Sequence, residues 1–197
     1  AMLTSLVGSE MCIRDSIARP EDSHDRLYPI SMGRYGPTVA VPRILETYRR
    51  LGIKQSFFVP GWCIETYPDA VEAILKGGHE IGHHGYLHED PIDAPDQRAW
   101  FEKALEAHHK YCGGTPSGYR APVYNINQEV VDLLIEHGCR YDSSMMADDI
   151  PYRLETKKGG LWEMPVHWGT DDWPPFAHYS EIGYMMPVAG PSTGLSG

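Results

Sequence analysis

Apolar positions fall along this chain in two rhythms. One recurs every three to four residues and reads as helix; the other is a short apolar run bounded by turn residues and reads as strand. Residues 17–36 are polar and turn-rich, with Pro20, Pro29, Gly33 and Gly36, and read as a loop. From Pro37 onward, Val41, Ile44, Leu45 and Tyr48 line one helical face, and Gly52 offers the stop. Lys54 to Val59 follows as a strand. Pro68 suits a first helical turn, Val71, Ile74 and Leu75 share a face behind it, and Gly77-Gly78 closes that helix. His79 to Gly82 is a short second strand. Beyond Pro91 and Pro95 a helix is predicted from about Asp96 to Tyr111, ended by Gly113-Gly114. Ser117 to Arg120 is the third strand. Asn127 caps a helix carrying Val130, Val131, Leu134 and Ile135, with Gly138 at its end. Cys139 to Asp142 and Leu161 to Val166 are the fourth and fifth strands.

Strand and helix thus alternate with short connections, which makes a parallel sheet or barrel with outer helices the economical architecture. The chain has 197 residues, of which 42% are hydrophobic. That suits one domain, or a large part of one, with a sizeable core. A net charge of −10 argues against a phosphate-binding surface, which needs clustered Lys and Arg. No run of 18 apolar residues suggests a membrane span. The four cysteines, at 12, 63, 112 and 139, form neither a close-spaced zinc pattern nor a dense disulfide framework.

The first residues stand apart. Leu6-Val7-Gly8-Ser9-Glu10-Met11-Cys12-Ile13-Arg14-Asp15 reads as the translation of a transposase-type sequencing adapter, and the bases that follow permit Ser16. Residues 1–16 are therefore expected to be non-native and are set aside, leaving 17–197 as the partial domain to be explained. Without them the net charge is −9 and three cysteines remain.

Candidate chemistry gathers just after the predicted strands. Of ten histidines, His79, His83, His84 and His88 fall within ten residues. Arg120 ends the third strand, Ser143 and Ser144 follow the fourth, and Asp171 and Asp172 follow the fifth. In parallel βα folds the carboxyl ends of the strands form one face, where sites assemble. His84 and His88, at i and i+4, can converge on one cation, for which neutral imidazole suits zinc, cobalt, nickel or iron and a carboxylate completes the set. Two surface histidines beside a loop are the alternative. His79 reads as structural, and His83, pointing opposite to His84, as a support for the ligands or simply packed. His108 and His109 lie on a charged helix and read as solvated, and His137 as a cation at a helix C-terminus. Arg120-Ala121-Pro122 is either a strand end or a bidentate holder of a carboxylate. Asp171-Asp172-Trp173-Pro174-Pro175 is either an acidic turn or a pocket wall with a charge-tuning Asp.

In order along the chain, Phe57-Phe58-Val59-Pro60-Gly61, Gly78 to His88, Gly118-Tyr119-Arg120-Ala121-Pro122, Tyr141-Asp142-Ser143-Ser144 and Asp171-Asp172-Trp173 resemble the motifs of the polysaccharide deacetylase family, the nodulation-protein-B homology domain. The resemblance covers about Tyr35 to Trp173. The Gly85-Tyr86 form and the Asp-Asp-Trp-Pro ending look closest to an intracellular branch that includes allantoinase-like and cyclic-imide hydrolases and some peptidoglycan deacetylase-like proteins. It implies an incomplete, deformed (β/α) barrel. It also implies a divalent metal, most often Zn2+, held by an Asp-His-His set in which His84 and His88 match the two histidines. Such a metal polarises the amide carbonyl and lowers the pKa of a water, while a second Asp acts as base and a late His as acid. Arg120 matches the Arg that orients the base. Asp172 and Trp173 resemble the later motif that tunes this Arg and walls the pocket, although Gly169 stands where a second Asp often occurs. Tyr86, Pro122 and Trp173 are the implied substrate contacts.

The departures are as informative. The family's Asp-x-Asp lies upstream of a loop like 17–36, where the adapter-like segment stands; Asp15, Asp22 and Asp25 do not match it. His167 and His178 flank the Asp-Asp-Trp element rather than follow it, so the late His is expected beyond residue 197. The chain is accordingly expected to be truncated at both ends, with weak metal binding and little activity. The implied function is hydrolysis of a non-peptide C–N amide bond, in a small cyclic amide or ureide before a polymer, with an N-acetyl sugar left open. The alternative is a non-catalytic, ligand-binding relative with a degenerate site. No nucleic-acid or membrane partner is implied, and the branch allows a homo-oligomer. The free Cys63, Cys112 and Cys139 point to the cytoplasm; the lack of a signal-peptide pattern carries no weight, because the first native residues are expected to be missing.

Overall fold

The computed structural model describes residues 33–94 and 96–167. A π-helical turn, Gly36–Ala40, runs directly into α1, Val41–Leu51. The helix stops at Gly52, whose φ of 67° is a left-handed conformation that side chains resist and glycine adopts freely. Then come β1 (Ser56–Val59), α2 (Gly61–Thr66), α3 (Pro68–Lys76) and β2 (Glu80–His83). α4 (Gln97–Tyr111), β3 (Gly118–Tyr119), a 3-10 turn (Pro122–Tyr124) and α5 (Gln128–Glu136) follow. β4 (Tyr141–Asp142), β5 (Tyr152–Thr156) and β6 (Gly159–Glu163) complete the described elements. The Asp96 carboxylate accepts the Ala99 amide at the start of α4, and the Asn127 side chain accepts the Val130 amide at the start of α5. These satisfy donors that a helix start leaves orphaned.

The six strands form one sheet in the order β1-β2-β3-β4-β6-β5. All neighbours run parallel except β5, which pairs antiparallel with β6 as a hairpin. This is an incomplete (β/α) barrel. Val41, Phe57, Ile64, Val71, Ile74, Ile81 and Ala107 form one apolar cluster, under α1 and α3. Phe101, Leu105, Tyr119, Val130, Leu133, Leu134 and Leu161 belong to the other, under α4 and α5. At Gly118 on β3 a Cβ would stand 2.0 Å from Cζ of Tyr141 on β4. The Tyr141 ring lies in that space, and its hydroxyl donates to Glu80 at 2.9 Å. Among the described residues no helix is long and apolar enough to cross a membrane.

The predicted elements are all present where the structure describes them, with strand limits moved by one to three residues; residues 33–36, read as loop, are helical, so helix begins before Pro37. Besides the 3-10 turn, two elements were not predicted. α2 spans six residues behind Pro60-Gly61, which reads as a turn. It is a helix because Gly61 lets it press against α4, where a Cβ would meet the Ala104 Cα at 2.9 Å. β5 is the edge strand. Tyr152, Leu154 and Thr156 face inward while Arg153 and Glu155 face solvent, an alternation hidden by its charges, which also discourage a further strand from pairing there. The expectation that residues 1–16 are non-native lies outside the described residues.

Candidate active site

β2 ends at His83, and the next six residues fold into a tight loop. Gly85 and His88 have φ of 71° and 61°, the latter uncommon for a residue with a Cβ. The loop is tied at several points. The Glu89 carboxylate accepts the backbone N–H of Tyr86, at 3.0 and 3.2 Å, and that of Leu87. The Gly85 and Tyr86 carbonyls accept from Gly61 and Trp62, each at 2.9 Å. Asn125 donates to both oxygens of Asp90 at 2.9 and 2.8 Å, joining this loop to the turn after β3.

The loop brings the two predicted ligands together. His84 and His88 are both buried, with ring centroids 4.8 Å apart and planes at 72°. Nδ1 of His84 lies 2.7 Å from the Arg120 carbonyl. A carbonyl only accepts, so Nδ1 is the donor and the lone pair of the neutral ring is on Nε2. A backbone oxygen fixing one nitrogen so that the other can ligate is how metal-binding histidines are oriented. The pair therefore fits a divalent cation. Among the described residues no group of three His, Cys, Asp or Glu completes such a set.

Arg120 follows β3 directly and is 2% exposed. Its Nε donates to the Ser143 carbonyl at 2.9 Å and its Nη2 to the Ser143 Oγ at 2.8 Å. The Ser143 Oγ in turn donates to the Met164 carbonyl at 2.7 Å. The guanidinium carbon lies 4.5 Å from the Phe58 ring centre and 5.9 Å from that of Tyr124, a favourable cation–π setting. Nη1 is buried with no hydrogen-bond partner among the described residues.

The other predicted positions divide. Pro122 is fully buried and packs beside Gly85, opening a turn in which Val123 and Tyr124 have φ of 52° and 59°. Tyr86 is 7% exposed, its hydroxyl donates to Glu65 at 2.7 Å, and Lys103 Nζ sits 4.1 Å from its ring centre; the structure gives it a packing role between α2 and α4. Asp171, Asp172, Trp173 and His178 lie outside the described residues, and His167 is exposed. His79 is structural as predicted, its ring 5.4 Å from Phe57 and its Nδ1 accepting the Gln55 amide at 3.2 Å.

Behind the loop lies a layer of neutral histidines. His83 is fully buried; its Nδ1 accepts the Gly85 amide at 3.2 Å and its Nε2 donates to the Phe101 carbonyl at 3.1 Å. Burial first, and the neighbouring His108 second, push its pKa down to about 3. His108 corrects the sequence reading, which placed it in solvent. It is fully buried, stacked 5.7 Å from His83 with nearly parallel rings, and burial lowers its pKa to about 4. The signal was spacing: Phe101, Ala104, Leu105 and His108 lie on one stripe of α4. His109 is exposed as predicted, 3.0 Å from the Thr115 hydroxyl.

A buried carboxyl pair was also missed. Asp142 and Glu163 are adjacent across β4 and β6, and both are fully buried. Glu163 sits at an inward position of β6, on the same face as Leu161, and a carboxylate at such a position was the available clue.

A family profile for polysaccharide deacetylase matches residues 35–141. The peptidoglycan deacetylase of Helicobacter pylori is 33% identical, over 85% of this chain and 66% of its own. The peptidoglycan deacetylase-like protein FGM2 of Gibberella zeae is 31% identical, over 79% of this chain and 54% of its own. A Mycobacterium smegmatis structure described as a polysaccharide deacetylase superposes with a TM-score of 0.86 at 33% identity, covering 98% of this chain and 67% of that one. Puue allantoinase superposes with a TM-score of 0.66 at 26% identity, covering 74% and 50%. The chain spans about half to two thirds of the length of these relatives.

Proposed function

The chain belongs to the polysaccharide deacetylase family, hydrolases of C–N bonds, and from that premise we propose that it removes acetyl groups from an N-acetylated sugar polymer of the peptidoglycan kind, with a divalent metal held by His84 and His88. The observation that carries the metal reading is the bond between the His84 Nδ1 and the Arg120 carbonyl, which supports a tautomer with Nε2 as the ligating nitrogen. The family generally uses a divalent metal. When bound, that metal supplies a Lewis acid for the amide carbonyl and makes a water acidic near neutral pH.

The chain's own residues do the rest. His84 and His88 hold the cation against a rigid loop. Arg120, fixed by Ser143, offers its remaining buried N–H groups on Nη1 to a carboxylate, the general base, which it orients and keeps ionised. That base and the carboxylate ligand come from outside residues 33–94 and 96–167. Asp172 and Trp173 are retained as the tuning carboxylate and the pocket wall.

The substrate choice rests on the relatives. Two carry peptidoglycan deacetylation in their names and match most of this chain, whereas the allantoinase likeness covers less of it. Location follows the substrate: a polymer of the cell envelope places the enzyme there, and a cyclic amide would place it in the cytoplasm, where the free thiols of Cys63, Cys112 and Cys139 persist.

The test is zinc titration of the full chain by calorimetry, followed by acetate release from N-acetylglucosamine oligomers and ring opening of a cyclic ureide. Each of His84→Ala and His88→Ala is expected to weaken zinc binding at least tenfold, about 1.4 kcal/mol. Unchanged zinc affinity in both variants removes the ligand assignment and favours a ligand-binding relative. Ureide opening without acetate release overturns the substrate.

A further inference from the structure

Asp142 and Glu163 stand side by side at the carboxyl ends of two paired parallel strands, with no exposed surface on either. Their hydrogen-bond partners are all on one short segment. The Ser144 Oγ donates to Asp142 Oδ1 at 2.7 Å, and the Ser144 amide lies 3.1 Å from both Asp142 Oδ2 and Glu163 Oε1. The Met145 amide donates to the same Glu163 oxygen at 3.1 Å. Among the described residues no Lys, Arg or His forms an ion pair with either carboxyl.

Among the described residues, no cation is bonded to either carboxyl. Tyr119 and Cys139 lie close by, and both are held neutral, chiefly by burial and also by the negative charge of Asp142. Tyr152 on β5 is held neutral in the same way, with Glu163 adding to the effect. Arg120 is the cation at this end of the sheet, and its Nε and Nη2 are committed to Ser143. Two adjacent buried carboxylates without a cation cannot both stay ionised.

We propose that Asp142 and Glu163 share one proton and act as a positioning pair for Arg120. The shared proton adds a side-chain link between β4 and β6 to their backbone bonds. The carboxyl oxygens then gather the Ser144 hydroxyl and the Ser144 and Met145 amides, which sets the path of the chain through Ser143. Ser143 holds the guanidinium by its carbonyl and hydroxyl. The Ser144 hydroxyl also accepts the Ala121 amide at 2.9 Å, tying the residue after Arg120 to the same pair. Burial, and then Asp142, push the Glu163 carboxyl up to about 9, in keeping with a proton retained at neutral pH. The role of Arg120 in catalysis rests on the hydrolase reading above; the shared proton does not.

The test uses the full chain with Glu163→Gln and Asp142→Asn, each of which supplies an N–H in place of the shared proton, and Glu163→Ala, which supplies none. Infrared spectra at neutral pH are expected to show the C=O stretch of one protonated carboxyl in the wild type and its loss in both amide variants. Absence of that band from the wild type, or its persistence in both variants, overturns the shared proton. Melting temperature is expected to fall in the wild type as pH rises from the ordinary carboxyl range toward about 9, levelling above it, and to fall less in Glu163→Gln; equal falls count against the pair. The Arg120 Nε–H resonance, identified by its loss in Arg120→Lys, is expected to hold its shift in Glu163→Gln and to move in Glu163→Ala. A resonance that moves in Glu163→Gln, or that stays in place in a folded Glu163→Ala, overturns the positioning role. None of these readouts needs metal or turnover, so they stand or fall apart from the hydrolase assignment.

Discussion

Replacing His108 with leucine is expected to stabilise this protein, and increasingly so as pH falls. The ring is fully buried, and neither nitrogen has a hydrogen-bond partner among the described residues. An unsatisfied buried polar group costs roughly 1–3 kcal/mol, and leucine fills a similar volume without one. A second contribution depends on pH. The folded pKa of about 4 lies below the 6.5 of an unperturbed histidine, so between those values the unfolded chain binds the proton and the folded chain does not. Stability is therefore whole above pH 6.5 and is lost on acidification toward pH 4. At about 1.36 kcal/mol per pKa unit, acidification to pH 5 removes about 2 kcal/mol through this one residue. Urea unfolding followed by far-ultraviolet circular dichroism at pH 7, 6 and 5 measures it. His108→Leu should be more stable at pH 7, and its margin over the wild type should widen by about 2 kcal/mol at pH 5 with the urea slope unchanged. The acid loss from His83 remains in both proteins. A margin that does not widen would refute the reasoning, because it would mean that His108 is charged or satisfied in the native state.

Two further predictions concern backbone and packing. Val123 is exposed, β-branched and held at φ 52°, so Val123→Gly should raise the melting temperature by relieving strain of about 1 kcal/mol; a fall would show that the turn needs the side chain. Gly118→Ala should destabilise by about 1–3 kcal/mol or more through overpacking against Tyr141, and Gly52→Ala, with open space around it, only by the left-handed backbone cost of about 1–2 kcal/mol; equal losses in denaturation would remove the packing account of Gly118.

Much of this fold is legible residue by residue. The helical faces of Val41, Ile44 and Tyr48, of Val71 and Ile74, and of Val130, Val131 and Leu134 announce their helices, and Asn127 and Gly52 mark where two of them begin and end. These are local signals, set by spacing and by backbone preference. His84 and His88 were legible for the same reason, since i and i+4 is itself a local spacing. What stayed hidden depends on partners far along the chain. α2 exists because Gly61 meets Ala104. Glu163 is buried because β6 pairs with β4, which brings it beside Asp142. His108 lay between: its place on the stripe of α4 was readable, but the charged residues around it outweighed the spacing. Tyr86, carried over as a substrate contact, has its hydroxyl bonded to Glu65 on α2, a partner that no local pattern announces.

Arg120 makes two kinds of contact, through two different parts of itself. Its carbonyl accepts from His84 Nδ1, and its guanidinium is held by Ser143, where on the proposed function it meets a carboxylate. Every amino acid has the carbonyl; only arginine has that fork. A descendant that lost the side chain at this position would keep the main-chain oxygen and with it the tautomer of His84. On the proposed function, cation binding and bond cleavage are thus separable by a single codon, and a lineage could drift from enzyme to metal-holding binder without rebuilding its histidine loop.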